Sequence, residues 1–249
     1  MIRRTLALTA LLAYAASFST AAPEAETTAP SAAATRTEGD SAPDAPPVQP
    51  KLFGRISDGL YHAPSGAFSV PVPKLNGDSA VIMDTDTVAV FKDKTSVLVT
   101  IAAFPMPAFA RWEYQTKGAR DYLIAFFRDN ILRDYTAEFP ESRVENVKFL
   151  PEYHGGTLLA YTVMPGGSAF SLDPVAAALP GHAPGIAKRG HLVFVKNDLA
   201  FVLAVELAER VTQKSTYQVP AAEEDRVLLD RLVTIVTAMQ IPAATTPLP

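Results

Sequence analysis

Apolar residues recur at three- and four-residue steps between Thr116 and Tyr135, at Ala119, Tyr122, Leu123, Phe126, Phe127, Ile131, Leu132 and Tyr135. Arg120, Asp121, Arg128, Asp129, Arg133 and Asp134 fall between them. That spacing predicts a helix with one buried stripe. At ~1.5 Å per residue it is ~30 Å long, about the width of a small domain, and its aromatic face must lie on something. The flanking segments have the two-residue period of strands. Ala63-Pro64-Ser65-Gly66 is a turn sequence, and Ala67 to Pro73 then alternates, which predicts a hairpin. Pro71 and Pro73 lack amide donors, so they fit an edge strand or a strand end. Asn76-Gly77-Asp78 is a further turn, followed by short strands over Ala80 to Met83, Val88 to Phe91 and Thr95 to Phe104.

The last of these strands is apolar on both sides. Val97, Val99, Ile101 and Ala103 share one face, and Leu98, Ala102 and Phe104 share the other with only Thr100 among them. Leu158 to Met164 has the same character, as do Leu192 to Val195 and Leu199 to Leu207, which Lys196-Asn197-Asp198 joins as a hairpin. A sheet built from such strands needs cover on both faces, because exposed apolar surface forfeits ~25 cal/mol for each Å². Two helices are available. The second follows Pro220, carries Glu223, Glu224 and Asp225 near its start, and buries Leu228, Leu229, Leu232, Ile235, Val236 and Met239 before Pro242 ends it. Arg143 to Phe149 alternates weakly and is more polar, which places it near an edge. The fold class expected is α+β, a single domain with an antiparallel sheet between helical layers.

The ends of the chain have a different pattern. Arg3 and Arg4 precede an apolar run from Leu6 to Phe18, and Ser19, Thr20, Ala21 and Ala22 supply small residues for cleavage, so residues 1–21 are expected to be a signal peptide. The run is shorter than the ~20 residues of a membrane span, so no transmembrane segment is expected after cleavage. Residues 22–50 are rich in Ala, Pro, Thr, Ser and Glu and are expected to be a disordered linker, because they bury too little to offset the entropy of ordering. The domain is expected over 51–243, with 244–249 a tail. The location expected is the periplasm or the outside of the cell.

Composition narrows the chemistry. Of 249 residues, 48% are hydrophobic and 19% charged, enough for one sizeable core. A net charge of -4 gives no electrostatic footprint for nucleic acid or an anionic membrane. The chain has no cysteine, which excludes disulfides, thiolate metal ligands and thiol nucleophiles. Four histidines are present, His62, His154, His182 and His191, none at metal-ligand spacing from another ligand. His62, His154 and His182 read as surface or turn residues and His191 as a packed, hydrogen-bonded one. Asp84-Thr85-Asp86-Thr87 opens like a calcium loop but lacks its glycine and distal glutamate, so it reads as a polar turn. Ser65 and Ser168 lie outside any G-x-S-x-G elbow, and Gly155-Gly156 and Gly166-Gly167 are lone pairs rather than phosphate cradles. No catalytic residue, metal site or cofactor is expected.

One connection is unusually long. Pro165 to Arg189 joins two core strands, and loops of that size tend to be functional or disordered. Asp173-Pro174 is a helix start, and Phe170, Leu172, Val175 and Leu179 give the segment an apolar face. One expectation is a flap over a groove, binding a ligand or partner, with Lys188 and Arg189 at its exit. The other is an insertion whose apolar face caps the core.

The run Gly66-Ala67-Phe68-Ser69-Val70-Pro71-Val72-Pro73, the Val88 to Phe104 hairpin, the mid-chain helix, the Gly190 to Leu207 hairpin and the closing helix together resemble the PsbP-like superfamily. That group includes the oxygen-evolving accessory protein of photosystem II, a Ran-binding eukaryotic relative and bacterial envelope proteins of the DcrB type. The resemblance spans roughly residues 55–242 and rests on element order. The aromatic that often follows the first proline-containing strand is missing, since the only tryptophan is Trp112. The resemblance implies an accessory or binding protein without catalysis, and no functional residue of the group maps onto a position here. The function expected is an exported, non-catalytic accessory or binding protein of the cell envelope, its partner an envelope protein or a small molecule. The alternatives are a periplasmic hydrolase with an unrecognised site and a carrier of a small apolar ligand.

Overall fold

The computed structural model describes residues 52–77, 80–170, 185–213 and 215–243, so the expected signal peptide, linker and tail lie outside the described residues. A small antiparallel sheet comes first: β1 (Arg55–Ser57), β2 (Leu60–His62) and β3 (Ser69–Pro71), with β3 ending at the proline foreseen for a strand end. The main sheet comprises β4 (Val81–Asp84), β5 (Val88–Lys92), β6 (Leu98–Pro105), β7 (Arg143–Leu150), β8 (Thr157–Pro165), β9 (Ile186–Lys196) and β10 (Leu199–Glu206). All its neighbours pair antiparallel in the order β4-β5-β6-β10-β9-β8-β7. β7 is an edge strand, as its weak alternation required.

Both faces are covered. Met83, Val88, Val90, Leu98, Ala102, Leu158, Ala160, Val193, Ala200 and Val202 pack on one side against the mid-chain helix. Ala89, Phe91, Val99, Ile101, Leu159, Leu192, Phe194, Phe201 and Leu203 pack on the other against the C-terminal helix, α4 (Ala221–Ala238). The small sheet shares that second cover, because Tyr61, Phe68 and Val70 join the same cluster. The second layer is thus part helix and part sheet. The small sheet is held by Asp84, whose carboxylate accepts from the Phe53 and Gly54 amides and the Tyr61 hydroxyl. The polar turn read in sequence is there, closed by the Thr85 amide donating to the Val88 carbonyl at 2.8 Å, and Asp84 at its start is a clasp as well.

The mid-chain helix departs from expectation in two ways. It begins earlier, with α1 (Ala108–Phe126), and α1 is broken at Gly118, where φ is 79° and ψ is 162°. The apolar stripe is regular only after the break, so the preceding segment had no periodic signal. Phe127–Leu132 then forms a π-helical turn that runs into α2 (Arg133–Glu138). The wider turn suits Phe127, Ile131 and Tyr135, buried at four-residue steps, and the Asn130 side-chain amide donates to the Phe126 carbonyl. A short α3 (Glu209–Thr212) links β10 to the approach to α4.

Gly118 occupies a region of backbone space open almost only to glycine, while a Cβ there would meet no atom within 4 Å. Gly118→Ala therefore acts through backbone strain alone. It is expected to lower stability by about 1–3 kcal/mol, measured by urea denaturation.

Candidate functional site

Of the residues expected to form a binding flap, Leu172, Val175 and Leu179 lie outside the described residues. Phe170 is 1% exposed and belongs to the core. Lys188 and Arg189 correct the expectation. β8 runs to Pro165 and β9 starts at Ile186, so both residues sit inside a strand rather than at a loop exit. Adjacent strand residues point to opposite faces, and each cation is buried on its own side.

Arg189 faces α2. Its guanidinium donates to Glu206 at 2.9 Å and to the Gly167 carbonyl at 3.1 Å, and lies 5.6 Å from the Tyr135 ring centre. Ser168 and the Ala169 amide complete the shell of Glu206. Burial opposes the charge on Arg189, but Glu206 and Tyr135 together outweigh it and hold the pKa above its ordinary value. Lys188 faces α4, with Glu145, Glu224 and Asp225 as ion partners and the Ala221 carbonyl as acceptor. Desolvation pulls its pKa down, yet hydrogen bonds to the three carboxylates raise it on balance. Arg210 adds a second cation on Glu224 at 2.9 Å. The Arg189–Glu206 pair is matched one to one, while the Lys188 cluster sets Lys188 and Arg210 against Glu145, Glu224 and Asp225 and reaches solvent at Glu145 and Arg210. Sequence reading could have flagged them from two cations inside an otherwise apolar strand.

His191 is sealed beside Arg189, between the rings of Phe127 and Tyr135, bonded to the Thr162 hydroxyl at 2.9 Å. It is the packed, hydrogen-bonded histidine that was expected. Burial, aided by the charge of Arg189, pushes its pKa down to about 3. His62 bonds Ser57 at 3.0 Å, and His182 lies outside the described residues. Among the described residues, no group of three or more His, Asp or Glu side chains could hold a metal ion.

Elsewhere among the described residues lie further concavities, two of them well formed. The larger, about 390 Å³, is a groove between α1 and the ends of β6 and β10. Phe104, Met106, Tyr122, Phe126 and Ala200 contribute its apolar lining, with Phe109 at one side. The break at Gly118 creates it. The first segment of α1 turns away from the second, and Tyr114 meets Tyr122 edge-on at 5.4 Å across the bend. Phe109 and Trp112, one turn apart on the outer segment, stay 67% and 63% exposed. The ionic groups around the groove are paired locally, Lys117 with Glu113 at 2.7 Å and Arg133 with Asp134 at 3.4 Å. The smaller concavity, about 210 Å³, lies between α4, the sheet and the tip of the β7–β8 hairpin. Neither contains a residue of the 165–189 connection.

No protein-family model and no curated protein matches the sequence. Solved structures similar to the chain include the Ran-binding protein Mog1p of Saccharomyces cerevisiae, at 10% identity and a TM-score of 0.44, over 74% of this chain and 95% of that one. Cyanobacterial PsbP from Synechocystis sp. PCC 6803 is similar at 10% identity and a TM-score of 0.44, over 74% of this chain and 91% of that one. The chain has a weak PsbP-like resemblance over part of its length.

Two measurements check the buried groups. Phe170→Ser is expected to cost about 3–5 kcal/mol of stability in urea denaturation, as a core position should. The unfolded chain protonates His191 near its ordinary value while the folded one does not, so unfolding takes up a proton and stability falls on acidification. Between about pH 7 and about pH 5, His191→Leu should lose about 2 kcal/mol less stability than the original protein.

Proposed function

We propose that the chain is an exported, non-catalytic accessory or binding protein of the cell envelope, and that it engages a partner protein through the groove beside α1. The carrying observation is Phe109, an aromatic ring held in solvent at the side of the groove, with the exposed Trp112 one turn further along the same helix. Scattered apolar residues are ordinary on a surface, but adjacent aromatics rimming a concavity mark interaction sites. Covering both rings would remove about 200 Å² of apolar surface from water, on the order of 5 kcal/mol.

The occupant we propose is an extended, apolar segment of the partner with little net charge, because the ionic groups around the groove already satisfy one another. Export is supported by Arg3, Arg4, the apolar run Leu6 to Phe18 and the small residues up to Ala22. Among the described residues no helix is long and apolar enough to cross a membrane. On this reading residues 22–50 tether the domain and leave the groove accessible.

A photo-crosslinker placed at Ala125, which lines the groove, is expected to capture one partner from the envelope fraction and none from the cytosol. Replacing both Phe109 and Trp112 by alanine should weaken that partner by about 2 kcal/mol or more, roughly 30-fold, at unchanged Tm. Equal capture by the doubly substituted chain would sink the reading.

A further inference from the structure

The smaller concavity has a feature that a packing defect does not. Its walls are Leu150, Leu192, Phe194, Leu229, Val233 and Val236, and its polar neighbours all come from the β7–β8 tip. Of these, the Thr157 hydroxyl is already used, donating to the Tyr153 carbonyl at 2.9 Å. The His154 imidazole lies flat on Phe194, with ring centres 4.3 Å apart and planes at 15°. Phe194 in turn stacks on Phe201 at 5.0 Å and 11°. A ring borne by a surface turn thus occupies the outer place of a three-ring stack.

The backbone that holds it there is strained. His154 has φ 50°, a left-handed conformation uncommon for a residue with a side chain, and Gly155 and Gly156 follow at 75° and 123°. Such strain collects at ligand clamps and movable segments, and Gly155, where a Cβ would meet nothing within 4 Å, gives His154 a hinge. Burial and the nearby Lys196 lower the pKa of His154, so the imidazole is neutral at neutral pH. Lys196 lies two residues beyond Phe194 on β9 and is not part of the cavity lining.

We propose that this cavity binds a flat, uncharged, single-ring aromatic molecule, which stacks on Phe194 in the place of the His154 imidazole while His154 swings outward on Gly155. Size agrees, since apolar cavities of about 150 Å³ accept benzene and about 210 Å³ leaves room for one small substituent. Charge agrees too, because the one carboxylate of the lining, Glu152, is exposed at its edge and the buried walls are apolar, with nothing to offset the desolvation of an ion. The site is separate from the groove beside α1 and stands or falls without it.

The test uses p-cresol as probe and the His154 ring resonances as readout. On titration these should move saturably towards solvent-exposed values, with half-saturation on the order of 1 mM or below for so small a ligand. Val233→Trp, which fills the cavity from α4, should abolish the response, and Leu229→Phe serves as a second filling variant if the first does not fold. In His154→Ala, p-cresol measured by the Leu192 and Val236 methyl shifts should bind at least as tightly as before. His154 signals that do not move, a response that never saturates, a filled variant that responds like the original, or loss of binding in His154→Ala would each overturn the proposal.

Discussion

The central strands of the main sheet are buried on both faces, so a charge in the middle of one must find its counter-ion inside the protein. Lys188 and Arg189 show the consequence most sharply, since two adjacent residues of β9 send one cation into each core. An intact buried pair adds little net stability once desolvation is counted, but a broken one costs about 3–5 kcal/mol. Any packing in which Glu224 misses Lys188, or Glu206 misses Arg189, is therefore penalised. The first pair, with Glu145 and Asp225, fixes the start of α4 against β7 and β9. The second, through Ser168 and the Gly167 carbonyl, fixes the turn after β8 against β10. Charge matching thus sets the docking of elements that apolar contact alone would leave free to slide.

Two-sided burial was legible from Leu98 to Phe104, where the residues assigned to each face pack on separate cores as their alternation requires. The edge position of β7 and the C-terminal cover were legible for the same reason: periodicity records which side of an element meets water. Periodicity records nothing about ion partners distant in sequence. Lys188 and Glu145 are near neighbours only after β7, β8 and β9 have paired, so a cation beside a long connection read as a loop exit. Asp84 was opaque in the same way, because its partners Phe53, Gly54 and Tyr61 reach it through tertiary structure.

The groove was hidden for a different reason. It arises from an interruption, and a helical stripe is visible only where it is continuous. Residues 108–117 have no strong stripe because their aromatic side chains Phe109 and Trp112 are not spent on the core. Gly118 is a single residue in the sequence, and a lone glycine inside a helical pattern is ordinary. Only its backbone angles show that the chain turns there and that the two halves of α1 bound a concavity.

The two concavities lie on opposite faces of the sheet, yet one short turn touches both surroundings. Gly156 packs so closely against α1 that a Cβ on it would lie 3.0 Å from Ala119, the residue after the break, and 2.7 Å from the Phe149 ring. Two residues earlier, His154 stacks on Phe194 across the sheet. Proximity of this kind is not coupling, which needs an element with two arrangements that both sites bias. The β7–β8 tip qualifies only if motion of His154 passes through Gly155 to Gly156. The absence of a Cβ at Gly156 works against that, since it lets Phe149 and Ala119 grip the backbone itself and hold it still. The freedom at Gly155, where a Cβ would meet nothing within 4 Å, absorbs the swing instead. The geometry therefore favours two sites that fill independently, with Gly155 as the joint that separates them.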